Sequence, residues 1–272
     1  LSVALVCLRA NAPWAQESEH VKVGLVLSGG GAKAFAHIGV LKEIEAAGLR
    51  IDYIGGTSMG AVIGGLYAAG YTADQLDSLF KTFDFNAILT DELPRKTRSI
   101  AEKAESDRYA VTFPFDGKKL TLPIGLSKGH NAYNILSKLL LPVRDISDFN
   151  ALPISFLCIA TDAEKGTQVV LDKGYLPRAL TASSALPTIV QPILIDGVLH
   201  IDGGVVNNYP IDEIRAKGAD VVIGVDVQDQ LMSQEQLKSV VDVVSQINNF
   251  RTIEHMGSKI DQTDIYIRPE IN

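Results

Sequence analysis

Apolar runs alternate with helical patterns along most of this chain. Val21 to Leu27 is continuous, apolar and rich in β-branched residues, as expected of a strand buried on both faces. Three glycines follow, then a helical pattern from Phe35 to Ala47. Ile51 to Ile54 predicts a second short strand and Gly60 to Ala69 a second helix. Both helical patterns close on Ala-Ala-Gly, ending at Gly48 and Gly70, where glycine suits a left-handed cap. From Phe80 to Phe149 the pattern is broken, with short strands at Tyr109–Phe113 and Lys119–Leu122 and a helix near Tyr133–Leu140. Ile154–Ala160 and Val221–Val227 predict further buried strands, and Ile193–Ile195 with Val198–Ile201 a hairpin across Asp196-Gly197. Leu237, Val240, Val241, Val244 and Ile247 trace one face of a late helix, and Ile265–Ile267 is a short strand pattern. Strands alternating with helices predict an α/β protein: a mostly parallel sheet covered on both faces, with its sites at the carboxyl ends of the strands.

Composition narrows this picture only a little. The 272 residues are 46% hydrophobic and 21% charged, an ordinary globular balance. The net charge of -7 supplies no basic field, so nucleic acid is not an expected partner. Cys7 and Cys158 form neither a disulfide framework nor a CxxC zinc pattern. Leu1 to Leu8 is an apolar run leading to Arg9 and Ala10-Asn11-Ala12, which predicts a signal-peptide remnant over residues 1–15. That reading puts the mature start near Gln16 and the protein outside the cytoplasm: periplasmic, outer-membrane or secreted. The run is far short of the ~20 residues a spanning helix needs. Residues 21–269 contain no linker and read as one domain.

Two glycine-containing segments carry chemistry. Gly29-Gly30-Gly31-Ala32-Lys33-Ala34 follows the first strand and opens a helix, which fits a dinucleotide fingerprint with Asp52 as its acid. Against that, Asp52 begins its strand, whereas a ribose-binding acid belongs at a strand's end. The same glycines would equally let backbone N–H groups converge as an oxyanion hole, or form a structural turn. Gly56-Thr57-Ser58-Met59-Gly60 is G-x-S-x-G between a strand and a helix, the context in which Ser58 becomes an exposed nucleophile with the Met59 N–H nearby.

The base is harder to find. Of five histidines, His20 precedes the first strand, His255 lies on the late helix, and His37 is placed to pack or cap. His130 and His200 stay open as triad members. Asp202-Gly203-Gly204 follows the second strand of the hairpin, and a buried aspartate within reach of Ser58 would serve as base without histidine.

These blocks together resemble the patatin-like phospholipase family. Gly29-Gly30-Gly31-Ala32-Lys33, Gly56-Thr57-Ser58-Met59-Gly60 and Asp202-Gly203-Gly204 stand in the family's order. Asp52-Tyr53-Ile54-Gly55 and Val205-Val206-Asn207-Asn208-Tyr209-Pro210 extend the match. The resemblance implies a three-layer α/β/α fold, a Ser58–Asp202 dyad, and an oxyanion hole at Gly29, Gly30 and Gly31. Lys33, Met59, Gly56, Gly60, Gly203 and Gly204 would support it. It further implies a phospholipase or lipid esterase acting on glycerophospholipids at a membrane surface, with no metal or cofactor in the chemistry. The type it most resembles is bacterial, secreted or outer-membrane-associated, in which a barrel domain often follows. Ala34 stands where the family commonly has glycine, and Thr181-Ala182-Ser183 lacks the arginine of the Arg-Ala-Ser that the family often has before the Pro187 region, which bears on headgroup or anion contacts. A nucleotide-binding oxidoreductase using the glycine loop and a non-catalytic lipid-binding module are the rival readings. Two weaker features remain. Arg95, Lys96, Arg98, Lys118 and Lys119 read as a solvated face or a lipid-headgroup contact, and Phe80, Phe83 and Phe85 as core or as a cover over the acyl site.

Overall fold

A computed structural model describes residues 20–91, 115–116, 119–120 and 125–271. The expected signal segment, the strand at Tyr109–Phe113 and the basic residues Arg95, Lys96, Arg98 and Lys118 lie outside the described residues. No helix among the described residues is long and apolar enough to cross a membrane.

The chain opens with β1 (Val23–Leu27), a 3-10 turn at Gly31–Phe35, α1 (Ala36–Ala46), β2 (Tyr53–Thr57), α2 (Met59–Ala68), α3 (Ala73–Phe80) and α4 (Phe85–Thr90). Three short strands, β3 (Phe115–Asp116), β4 (Lys119–Leu120) and β5 (Gly125–Ser127), precede the helix His130–Leu139. Then come β6 (Ser155–Asp162), β7 (Gln168–Leu171), the helix Leu176–Ser183, β8 (Thr188–Val190), β9 (Ile193–Ile195) and β10 (Val198–Asp202). The helix Ile211–Ala216, β11 (Val221–Val225), the helix Val240–Asp261 and β12 (Ile265–Ile267) complete it.

The main sheet follows the path β12-β11-β1-β2-β6-β10-β9, with β7 also paired to β6. Pairings from β12 to β6 are parallel, and those of β7, β9 and β10 are antiparallel. Alternate residues of the central strands feed two separate cores. Leu25, Leu27, Phe156, Cys158, Ile223 and Val225 enter one, whereas Val26, Leu157, Ile159 and Val222 enter the other. Period-two alternation with apolar residues on both faces is the three-layer α/β/α arrangement.

The register on β6 decides where the site forms. β2 pairs with Ser155 to Ile159, β7 with Cys158 to Thr161, and β10 with Ala160 to Asp162. Because β7 overlaps both of the others, β2 and β10 must share the opposite edge of β6, end to end. They run toward each other along that edge: β2 finishes at Thr57 opposite Ile159, and β10 finishes at Asp202 opposite Ala160. The chain after Thr57 has no room to continue as strand and turns out of the sheet at Ser58.

Several expected elements shift. The second strand spans Tyr53–Thr57 instead of Ile51–Ile54, because Gly55 and Gly56 belong inside it. A Cβ on Gly55 would lie 2.7 Å from the Ile214 side chain, and one on Gly56 2.7 Å from the Ala61 backbone. These glycines mark close packing, not a loop. The hairpin forms as expected, with Asp196 and Gly197 both at positive φ (49° and 83°), as a two-residue turn of this hand requires. Phe80 and Phe85 pack against Phe35 and Phe83 against Phe80 and Phe85, at ring separations of 5.0 to 6.3 Å, and all join the core.

Candidate active site

Ser58 sits at the N-terminus of α2 with φ 56° and ψ -128°, a conformation ordinarily left to glycine. Such strain costs about 1–3 kcal/mol and persists only where its surroundings hold it. Two contacts hold it here. The Ser58 N–H donates to Ser183 Oγ at 3.1 Å, and the Ser183 hydroxyl donates onward to the Ile159 carbonyl at 2.6 Å. Ser183 therefore ties the elbow to the splinting strand β6 from a fully buried position. Gly60 permits the second contact: a Cβ there would fall 2.4 Å from the carbonyl oxygens of Leu27 and Ser28. The first turn of α2 thus lies directly against the end of β1, and the glycine loop leaves β1 beside Ser58.

The structure brings Ser58 and Asp202 together. Ser58 Oγ donates to Asp202 Oδ2 at 2.6 Å, and the Gly204 N–H donates to Oδ1 at 2.7 Å. Gly203 lets the chain turn tightly after the aspartate, since a Cβ would meet the Ile159 carbonyl oxygen at 2.2 Å. Asp202 is almost wholly buried. Burial pushes its pKa from 3.8 to about 6, and the hydrogen bonds from Ser58 and Gly204 oppose the rise without cancelling it.

The histidines open in the sequence lie elsewhere. His200 Nδ1 is engaged with the Val198 carbonyl, and His130 is exposed at the start of its helix. Among the described residues, neither is hydrogen-bonded to Ser58 or Asp202. His37 packs, as expected: buried, it donates from Nε2 to the Ser28 carbonyl at 2.8 Å. Burial lowers its pKa to about 4, with the Ser28 contact and the charge of Asp226 opposing, so it holds that carbonyl as a neutral ring.

The glycine loop departs from expectation in one respect. Gly29, expected to donate to an oxyanion with Gly30 and Gly31, has its N–H committed to Asn208 Oδ1 at 3.2 Å. Asn208 Nδ2 donates back to the Gly29 carbonyl at 3.2 Å. Gly29 is thus the loop's anchor, and the N–H groups of Gly30 and Gly31 have no acceptor among the described residues. Lys33, expected to support the site, faces outward and pairs with Asp229. Met59 N begins α2 next to Ser58.

Asp52 lies at the opposite end of the sheet from the glycine loop. Its carboxylate accepts from the Val23 N–H at 2.9 Å and from His20 at 3.2 Å. The acid that the dinucleotide reading requires is spent on closing the start of β1. No group of three or more His, Cys, Asp or Glu arranged to hold a metal occurs among the described residues.

Ser183 and Asn208 carry positioning roles that sequence reasoning missed. The Asn207-Asn208 pair was visible as part of a motif, but nothing local showed that it reaches a loop 179 residues earlier. Ser183→Ala removes the acceptor for the Ser58 N–H and the hydroxyl donor to the Ile159 carbonyl. A lost buried hydrogen bond of about 1–3 kcal/mol corresponds to about 5–160-fold in rate. Steady-state kinetics with a soluble ester should show that fall in kcat with KM nearly unchanged. A rise in KM at constant kcat would remove the positioning role.

A family model described as patatin-like phospholipase matches residues 25–215. Three curated relatives, each a lysophospholipase NTE1, are similar over 75% of this chain. They come from Scheffersomyces stipitis (31% identical over 205 residues), Candida albicans (30% over 205) and Aspergillus fumigatus (32% over 206). The chain spans only 12–13% of their length. These relatives are fungal, so they speak to the domain and not to a bacterial, secreted or outer-membrane type. Among solved structures, VipD from Legionella pneumophila is similar over 89% of this chain and 55% of its own, at 14% identity and a TM-score of 0.47.

Proposed function

Because the chain belongs to the patatin-like phospholipase family, we propose that it hydrolyses a fatty-acyl ester of a glycerophospholipid with Ser58 as nucleophile and Asp202 as base. The observation that carries this reading is the 2.6 Å hydrogen bond from Ser58 Oγ to a buried carboxylate whose pKa is raised to about 6. Asp202 takes the Ser58 proton as Oγ attacks the ester carbonyl carbon. The carbonyl electron pair moves onto oxygen, and the N–H groups of Gly30 and Gly31 stabilise that oxyanion. Collapse re-forms the carbonyl and expels the glycerol oxygen, which leaves as an alcohol with the proton from Asp202. Water then gives its proton to Asp202, attacks the acyl-enzyme, and releases the fatty acid while Ser58 recovers its proton.

The named relatives are lysophospholipases, which makes a single-chain glycerophospholipid the first substrate to try. Purified protein should release fatty acid from it, and a fluorophosphonate should label Ser58. Absence of both, in protein that melts cooperatively, would leave a non-catalytic lipid-binding module instead.

The pH profile follows from Asp202. Only the carboxylate accepts the serine proton, so activity is lost as pH falls and the group protonates. kcat/KM should climb about tenfold per pH unit below about 6 and level off above it. A profile still rising through pH 8 would point to a different base.

A further inference from the structure

Beside the glycine loop lies a polar cleft of about 370 Å³ that the catalytic reading does not use. We propose that it is the subsite for the phosphodiester headgroup of the lipid, with Arg268 and Lys33 as its anion-binding groups. The proposal rests on the acyl-hydrolase reading and extends it to the substrate's other end. Most of the cleft's wall, from Asp226 to Gln236 and from Arg268 to Ile271, lies beyond the segment matched by the family model.

Position is the first argument. Val227 lines the cleft and also touches the glycine loop: a Cβ on Gly30 would lie 2.6 Å from the Val227 carbonyl oxygen. An ester carbonyl held at the Gly30 and Gly31 amides therefore has the cleft as its immediate neighbour.

Preorganisation is the second. Arg268 donates from one terminal nitrogen to Asp226 Oδ2 at 3.4 Å and from the other to the Gln228 carbonyl at 3.3 Å. Asp226 is itself buried, accepting from the Tyr266 hydroxyl at 2.6 Å and from the Gln228 N–H at 2.9 Å. These contacts fix the guanidinium while 44% of the Arg268 side chain stays exposed, leaving its remaining N–H groups for a ligand. A planar, permanently charged donor held in this way suits phosphate oxygens.

Charge exchange is the third. Lys33 reaches the same cleft from the glycine-loop side, paired with Asp229, and both side chains are nearly half exposed. Such a solvated pair contributes little, so a phosphate can replace Asp229 at the ammonium at small cost. Asp229 acts against an incoming anion, and its removal should help binding.

The test is the ratio of kcat/KM for a single-chain glycerophospholipid to that for a monoacylglycerol of the same chain, both below their aggregation thresholds. Arg268→Gln should lower this ratio about tenfold or more, the scale of a lost charge-assisted contact. Asp229→Asn should raise it several-fold. Opposite shifts at two neighbouring positions are not produced by general loosening of the fold. If both variants keep the ratio within twofold of the parent while both esters are turned over, the headgroup subsite is wrong and the hydrolase reading stands. If the parent turns over neither ester, the hydrolase reading falls and the subsite with it.

Discussion

Ser58→Ala should abolish hydrolysis, lowering kcat by a factor on the order of 10⁴–10⁶, and should eliminate fluorophosphonate labelling. The size of the effect follows from what remains. The Gly30 and Gly31 amides would still meet the carbonyl oxygen and Asp202 would still be present, but no oxygen stands where an acyl-enzyme must form. A methyl group at this position keeps the backbone contact to Ser183, since that bond comes from the Ser58 N–H. The elbow should therefore still form, and loss of the Oγ hydrogen bond to the buried Asp202 carboxyl should lower the melting temperature by no more than several degrees. Labelling that persists in Ser58→Ala would assign the nucleophile elsewhere and remove the basis of the mechanism.

Asp202→Asn should lose activity by a factor on the order of 10²–10⁴, the range of a positioned general base, and yet fold more stably near neutral pH. With Oδ1 kept on the Gly204 N–H, asparagine donates from Nδ2 to Ser58 Oγ and cannot take the serine proton away. The stability gain follows from the raised pKa. A carboxyl group near 3.8 when unfolded and about 6 when folded holds its proton to higher pH in the native state. Its contribution is therefore fully present below about pH 4 and is lost as pH rises through about 6. Above that point the buried charge costs about 3 kcal/mol, which the neutral amide does not incur. Thermal melts at pH 7.5 should place Asp202→Asn several degrees above the parent, and melts at pH 4 should bring the two together. An Asp202→Asn variant that melts lower at pH 7.5, or that still turns over, would contradict a buried catalytic carboxylate.

What the sequence showed of this site was whatever is local. The Ser58 elbow is legible because strand, turn and helix are contiguous, and the glycine loop because it follows an unmistakable apolar strand. Asp202-Gly203-Gly204 alone is an ordinary turn; only its company with the other blocks made it a candidate. Which amides remain open to a ligand was not legible. Gly29, Gly30 and Gly31 are identical as letters, and Asn208, far along the chain, separates the anchor from the other two. Ser183 was invisible for a similar reason, since its significance lies in touching two backbones that are distant in sequence. The second strand reads from the sequence as Ile51–Ile54 because Gly55 and Gly56 look like a loop until Ile214 and Ala61 are seen pressed against them.

The end-to-end meeting of β2 and β10 on one edge of β6 also orders events in time. Ser58 and Asp202 are 144 residues apart, and β1 pairs with β11 across the interval from Val23 to Val221. Contacts this far apart in sequence close late, after local helices such as α1 and α2 can form. In refolding, hydrolysis should lag behind helical signal, because a chain with its elbow formed and β10 not yet docked has Ser58 in place without Asp202 beside it. Recovered activity would then report the arrival of β10 on β6, the step at which two strands growing toward each other first meet.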